Sequence, residues 1–290
     1  MGPTRDTLPG DRQHFQYGPI DLVIGAEGEP EAMAAAHTAA WARFASVLPE
    51  LVAELPLLRQ PVAAHCPLQG VIARRMWSAC APFSASFITP MAAVAGAVAQ
   101  DIVACYAQAG IARAWVNNGG DIALHLPPGS QVRVGLFADL AHFRGFSPSG
   151  TLPTDAQFSV TASLPVRGIA TSGWRGRSFS MGIADSVTVL AHDAAAADAA
   201  ATVIANAVDV GDKRIARQPA NTLQDDSDLG ARLVTVDVPA LPAALVAQAL
   251  DAGLACAQDL RARGLVWHAA LVCQGQWRHT GDAALLQLVQ

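Results

Sequence analysis

RGIATSGWRGRSFSMGIADSVTVLAHDAAAADAAAT, residues 167–202, carries three chemical devices in one run. The small residues Ala170-Thr171-Ser172-Gly173 predict a turn whose hydroxyls and backbone N–H groups suit an anion or a phosphate. An apolar strand follows over 187–191. A helix then opens at His192-Asp193, and Asp198 and Thr202 stand four apart, which puts them on one helical face. A carboxylate and a hydroxyl beside a phosphate-friendly turn predict Mg²⁺ with a phosphorylated ligand. A hard cation takes oxygen ligands and often uses the substrate's own phosphates. Asp198 and Thr202 are therefore the candidate metal ligands and the candidate catalytic pair.

Upstream, Asn117-Asn118-Gly119-Gly120-Asp121 lies between apolar runs at 112–116 and 122–126. The local chemistry predicts an Asn/Gly hairpin. A second reading is that the paired glycines let the backbone approach a ligand while Asp121 accepts its hydrogen bonds. Further back, Thr89-Pro90-Met91 predicts the start of a long small-residue helix over 92–109, with Thr89 as N-cap, Pro90 at the first position and Gly110 as its cap. Within it Ala93, Gly96 and Ala97 allow another backbone or a flat ligand to come close.

The remaining pattern fills in around these stretches. Helices are predicted over 29–48, 194–208 and 241–263, and a hairpin over 14–17 and 20–24 turns at Gly18-Pro19. Strands are predicted at 131–137, 158–163, 233–238, 265–274 and 276–279. Four prolines interrupt 49–67, residues 138–155 form a polar excursion, and 212–232 reads as an irregular lid or edge loop. Residues 1–12 read as a disordered leader before one domain over 13–290, with room for two subdomains. Hairpins alternating with long Ala-rich helices predict an α+β class with largely antiparallel sheet.

Composition excludes several classes. Hydrophobic residues make up 52% and charged residues 15% of 290, enough for a large core. Net charge is -5, with one lysine, Lys213, against eighteen arginines. Nucleic-acid affinity rests on clustered cations, so no nucleic-acid partner is expected. The start has no apolar signal segment, and the run 91–105 is too short to span a bilayer, so a cytoplasmic protein without a membrane partner is expected. Cys66, Cys80, Cys105, Cys256 and Cys273 show no CxxC spacing and read as reduced core thiols, and His65-Cys66 as a buried pair without chemistry.

Asn118-Gly119-Gly120-Asp121, then Ile169-Ala170-Thr171-Ser172-Gly173, then Ala197-Asp198-Ala199-Ala200-Ala201-Thr202 resembles, in order and spacing, the ApbE-like flavin transferase superfamily. The resemblance covers residues 85–210 best. Thr89-Pro90-Met91-Ala92-Ala93-Val94-Ala95-Gly96 is similar to its shorter branch. What the resemblance implies is a T-fold-related α+β fold that binds FAD, with Mg²⁺ helping to split FAD and move FMN onto a protein threonine. Carried over, Asp198 and Thr202 would face the metal. Asn118, Gly119, Gly120, Asp121 and Gly96 would line the nucleotide pocket, with Thr171, Ser172 and Gly173 near it. Two features of the transferases are absent: Ala95 stands where they have lysine before glycine, and Ser178-Phe179-Ser180-Met181-Gly182 replaces their His-x-x-Asp-Pro. Asp185 and Asp193 are the carboxylates that could compensate.

Three functions compete. The first is a flavin- or nucleotide-binding protein, including a divergent Mg²⁺-dependent FAD-using transferase or pyrophosphate-cleaving enzyme. The second is an enzyme on a small anionic metabolite, with Arg74, Arg167, Arg175 and Arg177 gripping it. The third is a non-catalytic partner protein whose Ala-rich helices build a homo-oligomer. Ser172 as a nucleophile lacks the GxSxG context.

Overall fold

The computed structural model describes residues 2–136, 156–176, 178–281 and 287–288, without the side chains of 136, 156, 157, 287 and 288. The expected excursion at 138–155 and Arg177 lie outside the described residues. The described chain is α+β, with every paired strand for which a register is defined antiparallel. It divides into two compact units, one of residues 1–130, 162–170 and 190–200, the other of the remainder.

In the first unit, β1 (Thr4–Leu8), β2 (Arg12–Tyr17), β3 (Ile20–Gly28), β4 (Ile111–Asn118) and β5 (Asp121–His125) lie side by side in that order. The expected disordered leader thus contains a strand. Thr4 to Leu8 pair with Gln16 to Arg12, and the tight turn at Gly10 (φ 77°) and Asp11 (φ 55°) closes the hairpin. The charged residues Arg5 and Asp6 are tolerated because the strand is exposed and pairs through its backbone.

Helix α1 (Pro30–Ala53) covers β2 and β3. Its buried stripe Ala36, Ala40, Phe44, Val47 and Leu51 repeats at three- and four-residue spacing, the signature of one helical face. Phe15 from β2 packs edge-on to Trp41 at 5.1 Å and against Phe44 at 5.4 Å. Phe15 and Phe44 are fully buried, and each stabilises by about 1.5–3 kcal/mol. The helix runs through Pro49, past the predicted stop, because Val47 and Leu51 keep its apolar face on the core. The short helix α2 (Leu55–Leu58) follows, then an exposed Pro-rich loop, so His65 and Cys66 are exposed rather than buried.

Helix α3 (Val71–Cys80) is capped from outside. Glu54 accepts hydrogen bonds from the N–H groups of Gln69 (2.7 Å) and Gly70 (2.6 Å). A 3₁₀ turn at Pro90–Ala93 then leads into α4 (Val94–Val103), and a second closes it at Ala104–Tyr106. The helix predicted over 92–109 is therefore shorter at both ends: Ala93 (φ -127°, ψ 14°) breaks the run, and Gly110 (φ 84°) belongs to the approach to β4. Asp101 on α4 ties it to α1 through Arg43 (2.6 Å) and to α3 through Arg75 (3.1 Å).

The chain next forms β6 (Gln131–Leu136) and β7 (Ala156–Thr161) in the second unit, paired with each other. Strands β8 (Gly168–Ser172) and β9 (Ser186–Ala191) and helix α5 (Ala194–Ala207) are each divided between the units. In the first unit, β8 pairs with β5 through Ile122–Ile169 and Ala123–Gly168. The second unit holds β10 (Ala216–Pro219), α6 (Ala220–Leu223), β11 (Leu233–Asp237), α7 (Ala243–Ala262), β12 (His268–Cys273), β13 (Gln276–His279) and β14 (Gln287–Leu288). Residues 212–232 are thus less irregular than expected, because β10 pairs with β11. Helix α7 packs on β12 and β13 and buries Val246, Ala249, Leu250, Gly253, Ala257 and Leu260. All five cysteines are free thiols, with Cys80 and Cys273 buried and Cys66 exposed.

Candidate functional site

Three elements of the first unit meet at Asp198: the N-terminus of α4, the β4–β5 turn and the second turn of α5. The first N–H groups of any helix lack intrahelical partners. Ala93, at the N-cap of α4, has only a methyl group and cannot accept them. Asp198, 102 residues downstream, does so instead. Its Oδ2 accepts the Gly96 N–H at 2.9 Å, and the carboxylate also bonds the backbone of Ala95. Asp198 is thus the N-cap of a helix other than its own.

Gly96 is what lets α5 come this close. A Cβ there would sit 2.1 Å from the carbonyl oxygen of Ala194 and 2.9 Å from the Asp198 Cβ. The predicted close approach at Gly96 is therefore to another helix backbone. Asn118, buried at the end of β4, donates from Nδ2 to the Ala95 carbonyl at 3.1 Å. The peptide that joins Ala95 to Gly96 is held at both ends, its N–H by Asp198 and its C=O by Asn118.

The turn after Asn118 is the expected two-residue hairpin. Asn118 pairs with Asp121, and Gly119 (φ 66°) and Gly120 (φ 115°) take left-handed conformations that disfavour other residues. Asn117 Oδ1 accepts the Gly120 N–H at 2.8 Å and fixes the turn. That geometry delivers Asp121, 8% exposed, toward Asp198. Burial raises the Asp198 pKa well above the ordinary carboxylate value, and the Asp121 charge raises it further; the N–H groups of Gly96 and Ala95 pull it down. The structure therefore brings Asn118, Gly119, Gly120, Asp121, Gly96 and Asp198 together.

Residues 170–172 prove to be the end of strand β8, not a turn; Ala170 belongs to the first unit, Thr171 and Ser172 to the second. The β-branched Ile169 and Thr171 suit a strand, and its pairing outweighs the small-residue signal. Thr171 Oγ1 meets the buried Thr188 Oγ1 at 2.9 Å. Ser172 is half-buried at the strand end, and Gly173 lies against the backbone of Asp185, 2.4 Å from where a Cβ would stand. Thr202, half-buried, lies one turn beyond Asp198 on α5, as the spacing requires.

The two compensating carboxylates are committed elsewhere. Asp185 accepts hydrogen bonds from Trp174 Nε1 (3.3 Å) and the Gln274 N–H (2.5 Å) and lies 3.8 Å from Arg175. Asp193 caps its own helix α5 by accepting the Ala196 N–H at 2.8 Å, and pairs with His192. Arg167, a candidate substrate grip, donates instead to the carbonyls of Leu164, Val166, Leu126 and Ala162. Arg175 stacks on Trp174 at 4.9 Å, and Arg74 is exposed.

Two residues escaped the sequence reading: Ala95, which acts through its peptide, and Gln100, whose Oε1 accepts the Ala195 N–H at 3.3 Å. The only trace of Gln100 was its place four residues after Gly96, on the same face of α4.

Among the described residues, no group of three or more His, Cys, Asp or Glu side chains gathers in a way that could hold a metal. The site offers two carboxylates. That falls short of an all-protein cage but suits Mg²⁺, which is typically bound through one or two carboxylates, waters and substrate phosphates. The like-charge opposition of Asp121 and Asp198 is what a cation would relieve. No helix of the described residues is long and apolar enough to cross a membrane.

Comparison with known proteins gives relatives along most of the chain. A UPF0280 protein of Methanosphaerula palustris is 34% identical over 201 residues, covering 69% of this chain and 78% of that one. A UPF0280 protein of Methanopyrus kandleri is 35% identical over 211 residues, covering 71% and 78%. For the Methanospirillum hungatei UPF0280 protein, 40% identity extends over 127 residues, and the match spans about half of that relative's length (48%). Among solved structures, the apo flavinyl transferase ApbE of Pseudomonas stutzeri aligns with a TM-score of 0.48 and 12% identity over 98% of this chain and 95% of its own. The sequence model of the family described as AbpE bacteria matches residues 5–279, and the chain belongs to that ApbE-like family.

Proposed function

We propose that this protein binds a flavin nucleotide, FAD in the first instance, together with Mg²⁺, and that Asp121 and Asp198 are the protein's ligands to the cation. The observation that carries the reading is the buried opposition of these two carboxylates beside the N-terminus of α4. Burying two like charges together is unfavourable unless something neutralises them. A divalent cation does so, and the pyrophosphate of FAD supplies further oxygens. When bound, the cation would withdraw charge from a pyrophosphate and ease cleavage of its bridging bond. The cleavage or transfer reaction is the catalytic extension of this reading.

Of the four arginines in the metabolite reading, Arg167 donates to four backbone carbonyls and Arg74 is exposed. The test is calorimetric titration of FAD and ADP in Mg²⁺ and in EDTA. Micromolar or tighter binding in Mg²⁺, lost in EDTA and weakened at least tenfold by Asp198→Asn, is expected. Absence of FAD and ADP binding in both buffers would remove the proposal.

A further inference from the structure

We propose that Gln100 is a positioning residue for the Asp198 carboxylate, because α4 and α5 cap one another and the two caps share one register. Asp198 on α5 accepts the Gly96 N–H near the start of α4, at 2.9 Å. Gln100 on α4 accepts the Ala195 N–H near the start of α5, at 3.3 Å. Gly96 and Gln100 are four apart on α4, and Ala194 and Asp198 are four apart on α5, so one face of each helix meets one face of the other. At the centre, Gly96 lies against the Ala194 carbonyl with no room for a Cβ.

Neither helix start is fully satisfied by its own residues. On α4, the Ala93 side chain carries no acceptor. On α5, Asp193 satisfies Ala196, and the Ala195 N–H is left to Gln100. A slide of one helix along the other would break both exchanges together. Gln100 bonds the backbone of α5 rather than the Asp198 carboxylate; it acts by holding the start of α5, and Asp198 follows one turn later. This inference adds a residue to the site on which the proposed function rests, but its structural half is independent of any ligand.

The test uses Gln100→Leu, which keeps bulk and removes the acceptor, and Gln100→Glu, which keeps an acceptor at the same reach. The first readout is hydrogen exchange of the Gly96 and Ala195 amides in the ligand-free protein, with the amides of β3 and β4 as internal controls. Gln100→Leu is expected to speed exchange at both amides at least tenfold more than at the β3 and β4 amides, and Gln100→Glu to restore protection. The second readout is FAD affinity in Mg²⁺, expected to weaken five- to tenfold in Gln100→Leu and to recover in Gln100→Glu. Faster exchange at Ala195 with Gly96 unchanged overturns the proposal, since the two caps would then be independent. Altered Gly96 exchange without FAD binding even in the unmodified protein upholds the positioning role and sinks the flavin reading. If Gln100→Leu does not fold, Gln100→Asn, whose amide is one methylene too short, takes its place with the same expectations.

Discussion

Replacing Asp198 by Asn and by Ala separates its two structural burdens, the cap on α4 and the buried charge. Asn keeps an oxygen that can accept the Gly96 N–H; Ala keeps none. Loss of an N-cap costs about 1 kcal/mol, up to about 2. Loss of the charge acts the other way. Burial and the neighbouring Asp121 charge hold the Asp198 pKa in the folded chain above its ordinary 3.8, so the ionised carboxylate is destabilising. In EDTA at pH 7, Asp198→Asn is therefore expected to be more stable than the unmodified protein, and more stable than Asp198→Ala by about 1–2 kcal/mol.

The sign of the pH dependence follows from the raised pKa. The penalty is complete above the folded pKa and vanishes as pH falls toward 3.8, where both states are protonated. Urea unfolding midpoints of the three proteins, taken from pH 8 down to pH 4, measure this. The gap between Asp198→Asn and the unmodified protein should close on acidification. In Mg²⁺ with FAD the order should reverse, because only the native carboxylate gains from the cation. Should Asp198→Asn be as unstable as Asp198→Ala at every pH, the carboxylate is not the source of strain described here, and the case for a cation falls with it.

Other perturbations probe other parts of the structure. Gly96→Ala places a methyl carbon 2.1 Å from the Ala194 carbonyl oxygen and should cost about 1–3 kcal/mol in chemical denaturation while weakening any metal-dependent ligand binding. Arg167→Ala removes the donor to four carbonyls and should cost about 2–4 kcal/mol, yet the folded fraction should bind FAD like the unmodified protein; a selective loss of affinity would return Arg167 to the site. His268 is lowered to about 4 by burial, then by His279 and Arg261, against an ordinary 6.5. Its neutral form is favoured in the fold, so stability should fall by on the order of 2 kcal/mol as pH drops from about 6.5 to about 4. His268→Leu should abolish that segment of the pH profile, and an unchanged profile would show that another group titrates there.

Much of the architecture was readable because its elements carry strong local patterns. The stripe on α1, the Asn-Asn-Gly-Gly-Asp hairpin and the Ala-rich α5 all fold as their periodicity or turn chemistry dictates. Where the reading failed, a long-range contact outvoted the local one. Ala170-Thr171-Ser172 has turn-like composition, but it continues strand β8, whose Gly168 and Ile169 pair with β5. Arg5 and Asp6 look like a solvated leader, but an exposed strand needs only its backbone. The site was half legible. Asp121 and Asp198 could be named from spacing and resemblance, while the capping of α4 by Asp198 joins residues 102 apart and leaves no periodic trace. Arg167, Asp185 and Asp193 looked available because a sequence lists charges without showing how they are spent.

The proposed function turns on a cation that Asp121 and Asp198 would hold against the phosphates of a nucleotide. Phosphorus-31 resonances of bound FAD, recorded as Mn²⁺ replaces Mg²⁺, test this most directly. Both pyrophosphate signals should broaden in the unmodified protein and stay sharp in Asp121→Asn and Asp198→Asn at matched FAD occupancy. Equal broadening in all three would place the metal on other ligands and contradict the site described here.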